Sequence, residues 1–495
     1  MKHYLAIDLG AESGRAILGT LANGHLNLEE LHRFPNQPVR LPTGLYWDSL
    51  RLFHEMQQGL AVAGRERKLA LDGIGVDTWG VDFGLIGADG ALTDNPRHYR
   101  DARTNGMLDA AFAVVPRQEI FAQTGLQFMP LNTLYQLYAM KLAAAPGLLA
   151  ARRLLFMPDL FSYWLTGVQT TELTIASTSQ FYNPAQRRWA TELLHALGLD
   201  SSILGEIVPP GAALGPLLPH LCDQAGLAPV TVYATAGHDT AAAVAAVPAT
   251  GDDWCYISSG TWSLMGVEID QPVINQHSLA LNFTNEIGAE QKVRLLKNIA
   301  GLWLLQECRR AWALAGQEYS YEDLTRLAAA ARPFSAIVPP DEFLEPGHMP
   351  ERIAAYCRNT GQTPPQAPGE MARAILEGLA LRYRQVLESL ESLLGRRLNA
   401  IHIVGGGSRN HVLNQFVADA TGRTVMAGPA EATAAGNVLV QAMGGKEIAG
   451  LAEARQVVRQ SFPVLTVEPK EKGRWDEAYA RFEALTAPAP VPATQ

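Results

Sequence analysis

The stretch IDLGAESGR (7–15) closes one short apolar run, HYLAIDLG, with a glycine turn and opens another, GRAILGTL. Glycine lets backbone N–H groups approach a bound phosphate closely, and small hydroxyl side chains can add to them. A plain tight turn asks for the same residue, so one such stretch decides nothing. ISSGTWS (257–263) and IHIVGGGSRN (401–410) repeat the arrangement, each a glycine-containing turn after a short apolar run. The recurrence makes the reading specific. DDWCYISSGTWSLMGVEI, from residue 252, repeats the logic of the N-terminus, a weak internal repeat of long period that suggests two related domains.

Around the first turn the pattern reads strand, turn, strand, strand through HLNLEELHRF, followed by helical periodicity over 51–66 and two buried strands in LDGIGVDTWGVDFGLI. Alternating strands and helices predict an α/β architecture. The first three strands are joined too tightly for crossover helices, so a mixed sheet is expected. Residues 107–200 are richer in helical patterns and read as an insertion or lid. The longest amphipathic helix is predicted over 369–395, with Met371, Ile375, Leu379, Tyr383, Val386, Leu390 and Leu394 as its core stripe and Gly395 as its stop. The boundaries drawn from this are a domain over 1–245, a second over 246–465, and a terminal helix and tail over 466–495. The closing ALTAPAPVPATQ is expected to be disordered.

A chain of 495 residues exceeds the size at which one core keeps growing, which predicts at least two domains with a cleft between them. A net charge of −9 argues against nucleic acid as a partner. Cys222, Cys255, Cys308 and Cys357 lie far apart with no zinc-type spacing, so reduced structural thiols are expected. The N-terminus enters a strand pattern directly, and no run approaches the roughly 20 apolar residues of a membrane span. A soluble, cytoplasmic protein with no membrane partner is expected.

TAGHDTAAAV (235–244) sets His238, Asp239 and Thr240 side by side ahead of a helix-prone run. From this stretch alone, Asp239 either caps the helix or takes a proton from a substrate. Asp82 is either a buried, hydrogen-bonded strand carboxylate or a ligand contact. Trp79 and the group Arg100, Asp101 and Arg103 are equally open between packing and substrate. Asn298 sits where a helix is expected to start, so a cap competes with a ligand role. His98, His348 and His402 read as structural. No GxxxxGK[ST] loop is present, and GGGSRN is not a dinucleotide fingerprint.

In this order the three turns resemble the actin-like (ribonuclease H-like) ATPase fold shared by sugar kinases, chaperone ATPases and actin. The resemblance implies two such domains with a catalytic cleft between them, Asp8-Leu9-Gly10 and Ser259-Gly260-Thr261 as phosphate elements, and Gly405-Gly406-Gly407 as the adenosine element. VDTWGVDF (76–83), YRDARTNG (99–106), MPDLFSYWLTG (157–167), LNTLYQL (131–137), SSGTWSLMG (258–266) and LKNIAGLWLLQ (296–306) narrow it to the FGGY carbohydrate kinases. The resemblance runs from about residue 4 to residue 460, and within that family it is close to the kinases of L-rhamnulose.

What it implies is ATP-dependent phosphorylation of L-rhamnulose at its 1-hydroxyl. The alternatives are another ketose, such as L-fuculose or xylulose, or an actin-like chaperone or filament protein. By the same resemblance Asp239 is the general base, and Gly80, Asp82, His238, Thr240 and Asn298 contact the sugar. Ala11, Glu12, Ser13, Gly14, Arg15, Thr261, Gln306 and Gly405 hold ATP, with Asp8 near Mg2+. ATP and a ketose are the implied partners, and a monomer or weak homodimer the implied assembly. Two positions depart from many relatives. Ala11 and Glu12 stand where hydroxyl residues are common, and a Glu12 carboxylate repels polyphosphate unless it turns away or faces the metal. Gln136 stands where a lysine is common, and TIASTS (174–179) is only a loose match.

Overall fold

A computed structural model describes residues 1–345 and 347–487. The chain forms two compact units. The first comprises Met1–Pro248, Glu268–Leu296 and Glu431–Phe462, and the second Ala249–Val267, Lys297–Ala430 and the chain from Pro463 on. The second therefore begins near residue 249, and two later segments rejoin the first.

The first unit is built on a six-stranded sheet in the order Ala212–Pro216, Thr231–Ala234, Gly73–Thr78, Lys2–Leu9, Ser13–Ala22, His25–Pro35. Lys2–Leu9 runs antiparallel to Ser13–Ala22 and parallel to Gly73–Thr78, so the sheet is mixed, as the short N-terminal connections require. The register sets Asp8 opposite both Arg15 and Asp77, which brings three ionisable side chains together at one end of three adjacent strands. The helix expected over 51–66 is α-helical over Ser49–Ala61, with Leu52, Met56 and Leu60 buried, and ends in a π turn over Val62–Glu66.

LDGIGVDTWGVDFGLI does hold two strands, Gly73–Thr78 and Phe83–Ile86, but they part company. Phe83–Ile86 leaves the main sheet to pair antiparallel with Arg153–Phe156. The redirection happens at Val81, whose φ of +69° is unusual for a β-branched residue, and Asp82 N–H donates to Gly80 C=O at 2.9 Å across it. The helical region beyond residue 107 packs around its own core of Phe121, Leu134, Tyr135, Phe156 and Phe181.

Helix Ala432–Gly444 returns to the first unit and lies against helix Asp239–Ala245. A Cβ at Gly436 would fall 1.8 Å from Ala242 C=O, so the two backbones touch where no side chain intervenes. From the same helix, Gln441 Nε2 donates to Leu5 C=O at 3.2 Å and Asn437 Nδ2 to Gly75 C=O at 3.2 Å, tying it to the sheet.

In the second unit Trp254–Ser259 and Ser263–Ile269 form the expected hairpin. Trp254–Ser259 continues through parallel pairing to Ala400–Val404, which pairs in parallel with Thr424–Ala427. The long helix spans Pro368–Leu394 and ends at Gly395, φ +65°. Its stripe is buried from Met371 to Leu390 and half-buried at Leu394, and Tyr383 reaches the hairpin by donating to Ser263 Oγ at 2.6 Å.

The C-terminal helix runs Lys472–Thr486, burying Trp475, Ala478, Tyr479 and Phe482. This corrects the start of the tail expected to be disordered, because Ala484, Leu485 and Thr486 complete a helix held by that apolar face; residues 488–495 lie outside the described residues. All four cysteines are buried and unpaired. Among the described residues no helix is long and apolar enough to cross a membrane.

Candidate active site

Asp239 occupies the first position of its helix, not the cap; His238 precedes it in extended backbone with no side-chain capping bond. The cap reading of Asp239 is therefore corrected. Its Oδ1 accepts from Thr240 N–H at 2.5 Å and Thr240 Oγ1 at 3.1 Å, and lies 3.4 Å from His238 Nε2. Oδ2 accepts nothing among the described residues, and the side chain keeps 30 % of its surface exposed. Burial raises the Asp239 pKa, with His238 opposing and Asp8 adding to the rise.

Three segments hold this tripeptide in place. Thr78 N–H donates to Gly237 C=O at 2.9 Å, carrying the central strand on to the DTWG segment. Glu172 Oε2 accepts Gly237 N–H at 3.0 Å and Thr174 Oγ1–H at 2.6 Å, while Thr174 Oγ1 accepts His238 N–H at 3.1 Å. Burial pushes the Glu172 carboxyl up to about 7 against those hydrogen bonds. Glu286 and Arg294, opposite each other on the hairpin of Thr284–Ile287 and Val293–Ile299, close on the imidazole from the Nδ1 side. Sequence reading missed Glu172, Glu286 and Arg294; only TIASTS carried a signal, and it begins two residues after Glu172.

Beside Asp239 lies a carboxylate cluster. Asp8 accepts from Arg15, whose guanidinium also donates to Glu431. Burial by itself lowers the Arg15 pKa, and the charges of Asp8 and Glu431 outweigh it and raise it. Asp77 is fully buried; its Oδ2 accepts from Asn437 Nδ2 at 2.6 Å and its Oδ1 has no partner. Burial, then the charges of Asp8 and Asp239, drive the Asp77 pKa well up. No three His, Cys, Asp or Glu groups among the described residues form a complete metal cage. The cluster nonetheless fits Mg2+, which takes one or two carboxylates and leaves its other positions to water and phosphate, and Asp77 Oδ1 is a buried oxygen that no other group among the described residues satisfies.

Ala11, Ser13, Gly14 and Arg15 follow on the turn beside this cluster, where a Cβ at Gly14 would meet the Phe34 ring at 2.2 Å. Glu12 is exposed and its C=O accepts Asn36 N–H at 2.9 Å.

Asp82 is entirely enclosed. Its carboxylate accepts from Trp47 Nε1 (2.6 Å), Trp79 Nε1 (3.0 Å), Gln136 Nε2 (2.9 Å) and Tyr99 N–H (3.1 Å). Burial pushes its pKa up to about 6 while these donors pull it down. With four donors and no exposed surface, Asp82 organises the rings and the amide around it. Gln136 also accepts from Arg103 at 2.6 Å, linking the open question of YRDARTNG to the same hub, whereas Asp101 caps its own turn and accepts Leu45 N–H at 2.7 Å. Gly80 borders the tripeptide: a Cβ there would lie 3.4 Å from His238 Nε2 and 3.3 Å from Thr178 Cγ2.

The second unit gathers the other turns. Leu302 N–H donates to Gly260 C=O at 3.0 Å and Trp303 N–H to Thr261 C=O at 3.1 Å, which places helix Trp303–Leu314, with Gln306, beside Thr261. Gly405, φ +82°, is stacked on Ser259, whose C=O is 3.0 Å from where its Cβ would be. Asn298 lies in strand Val293–Ile299, so the helix-cap alternative at that position is corrected.

Residues 3–246 match the N-terminal domain of the FGGY family of carbohydrate kinases, and residues 255–445 match its C-terminal domain. The chain belongs to this family. A rhamnulokinase of Bacteroides thetaiotaomicron is 47% identical over 97% of this chain and 99% of its own length, and one of Oceanobacillus iheyensis is 40% identical over 93% and 97%. Among solved structures, a ligand-bound xylulose kinase from Lactobacillus acidophilus aligns with a TM-score of 0.81 at 17% identity, covering 98% of this chain and 99% of that one. A Plasmodium falciparum glycerol kinase with ADP gives 0.77 at 16% identity, covering 99% of each. Those two speak for the fold alone. As an FGGY member the protein is a carbohydrate kinase with a two-domain mixed α/β fold, and the family implies ATP as donor and a sugar as acceptor. A chaperone or filament role is not what FGGY membership describes.

Proposed function

We propose that the protein transfers the γ-phosphoryl group of ATP to the 1-hydroxyl of L-rhamnulose, giving ADP and L-rhamnulose 1-phosphate, a step of L-rhamnose breakdown. The observation that carries the substrate is the 47% identity, over nearly the whole of both chains, to a protein named rhamnulokinase. Asp239 is the general base. As the sugar oxygen bonds to the γ-phosphorus and the bond to the β-phosphate oxygen breaks, the hydroxyl proton passes to Asp239 Oδ2. Burial shifts its pKa upward, which makes the carboxylate a better proton acceptor than an ordinary one.

Phosphoryl transfer asks mostly for positioning and charge neutralisation. Gly80, His238, Thr240 and Asn298 position the sugar, with Asp82 holding the aromatic wall behind them. The turn Ala11 to Arg15, with Thr261, Gln306 and Gly405, holds ATP. Glu12, being exposed, is assigned the solvent side of that turn. Asp8 and Asp77 are the residues that would hold Mg2+, which would contribute charge neutralisation on the phosphate oxygens. The working assembly is a cytoplasmic monomer or weak homodimer.

ADP release from ATP across a ketose panel tests the reading. Turnover is expected to depend on sugar and to peak on L-rhamnulose. A peak on L-fuculose or xylulose would reassign the substrate, and sugar-independent hydrolysis would overturn the kinase mechanism.

A further inference from the structure

We infer that Arg294 and Glu286 are positioning residues for His238, holding its imidazole in the tautomer with the proton on Nε2, so that this N–H faces Asp239 and the space left by the missing side chain of Gly80. The argument begins with burial. Arg294 has no exposed side-chain surface, Glu286 has 6 % and His238 has 8 %. Placing two charges and an imidazole there is expensive unless each is paired. The hairpin register sets Glu286 directly across from Arg294, and Arg294 NH2 lies 3.0 Å from Glu286 Oε2. Arg294 also donates to Ile287 C=O at 3.3 Å, which fixes the plane of the guanidinium. The guanidinium and the carboxylate are thus paired across the strand register inside the fold, each supplying the other's compensation for burial.

The same NH2 lies 3.1 Å from His238 Nδ1. A guanidinium only donates, and a neutral imidazole carries one N–H and one lone pair. The contact with Arg294 becomes a hydrogen bond when Nδ1 offers its lone pair. Glu286 Oε2 sits 3.3 Å from Nδ1, farther than the guanidinium at 3.1 Å, and an N–H on Nδ1 would be turned against the N–H groups of Arg294. The ring proton is left on Nε2, 3.4 Å from Asp239 Oδ1 and beside Gly80. In the opposite tautomer a lone pair on Nε2 would face the Asp239 carboxylate, and the sugar would lose a donor. Arg294 and Glu286 thus act on the sugar through His238 without touching it.

The inference rests on the reading of His238 and Asp239 as the sugar side, but its primary test is independent of turnover. In full-length protein labelled with 15N-histidine, His238 is assigned by comparison with His238→Asn. The expected signature is a protonated, pyrrole-type Nε2 and an unprotonated, pyridine-type Nδ1. A proton on Nδ1 in the wild-type protein overturns the inference. Arg294→Met is expected to move the proton to Nδ1, towards Glu286, and to lower kcat/KM for the sugar by about tenfold, the worth of one hydrogen bond, with KM for ATP unchanged. An unchanged signature in that variant overturns the role of Arg294. Should Arg294→Met fail to fold with Glu286 left unpaired, the double variant Arg294→Met/Glu286→Met removes both charges. It is expected to lose the single-tautomer signature, and its persistence would equally overturn the inference. Near-normal turnover in Asp239→Asn would remove the general base while leaving the wild-type tautomer result intact, so the two failures are distinguishable.

Discussion

The polar site of the first unit and the glycine turns of the second are held by opposite means. Around Asp239 the backbone and ring positions are anchored largely by side chains from elsewhere: Glu172 on Gly237, Thr174 on His238, Arg294 on the imidazole, Asn437 on Asp77. Around Ser259 the fixing is done by missing side chains. A Cβ at Gly301 would fall 2.5 Å from the Trp262 carbonyl carbon, and one at Gly407 would fall 2.0 Å from Ser259 Oγ. The first arrangement sets protonation and hydrogen-bond direction, which proton transfer needs. The second sets backbone shape, which suits a ligand recognised through its phosphates. Substitutions should therefore fail differently in the two places, in chemistry in one and in packing in the other.

The largest effect is expected from Asp239→Asn. General-base help is typically worth about 10² to 10⁴ in rate, and kcat should fall by that order. Sugar and ATP affinities, measured by calorimetry, should stay near those of the wild type, because an amide keeps the shape of the side chain. Turnover close to normal would break the proposed chemical role of the first unit's site.

Glu172 tests whether the anchors of that site are themselves strained by burial. Its pKa is raised from 4.5 in the ordinary carboxyl to about 7 in the fold. Between those values the folded state binds more protons than the unfolded chain, so this group's contribution to stability is full below about 4.5 and is lost as pH rises through 7. The shift corresponds to roughly 3 kcal/mol at most. Glu172→Gln removes the titration. Subtracting its urea-unfolding free energies from those of the wild type should give a difference that declines from pH 4.5 to pH 7. A flat difference would show that the four hydrogen bonds on this carboxylate, and not its burial, set its charge.

In the second unit, Gly407→Ala should cost about 1–3 kcal/mol through overpacking against Ser259, and should raise KM for ATP more than KM for the sugar. Gly406→Ala is the internal control, since nothing lies within 4 Å of its added Cβ. Equal effects of the two on the melting temperature would mean that steric closeness is not what defines this turn.

The same contrast explains what could be read from the chain. Glycine turns after apolar runs are local, and so the hairpins at Gly10 and Gly260, the stop at Gly395 and the tripeptide His238-Asp239-Thr240 are legible in sequence. Side-chain anchors are not local. Asn437 reaches Asp77 across 360 positions, and nothing in GNVLVQ marks it. Glu286 and Arg294 sit in ordinary strand patterns and gain meaning only from their register. Asn298 invites a helix cap because a helix does follow, but the strand runs through Ile299 first. Asp82 was legible as special yet not in kind, since its neighbours Trp47, Tyr99 and Gln136 come from three separate segments.

The smallest effect is expected at Val81, where the two strategies meet: a strained backbone held by side chains. Its φ of +69° places a β-branched residue where glycine is at ease. Its N–H donates to Thr178 Oγ1 at 3.1 Å, and its C=O accepts from Thr133 Oγ1 at 2.7 Å, so neighbouring hydroxyls hold the turn against its own preference. Val81→Gly relieves strain of about 1–3 kcal/mol but loosens the unfolded chain by about 0.4–1 kcal/mol and gives up the valine's apolar contacts. The net change in unfolding free energy should be under about 1 kcal/mol. If the strain serves to aim Gly80 and Asp82, kcat/KM for the sugar will fall by a few-fold while KM for ATP is unmoved. If it is only the by-product of redirecting Phe83–Ile86 out of the main sheet, the relaxed variant will keep full activity, and the turn will belong with the backbone-defined half of the comparison.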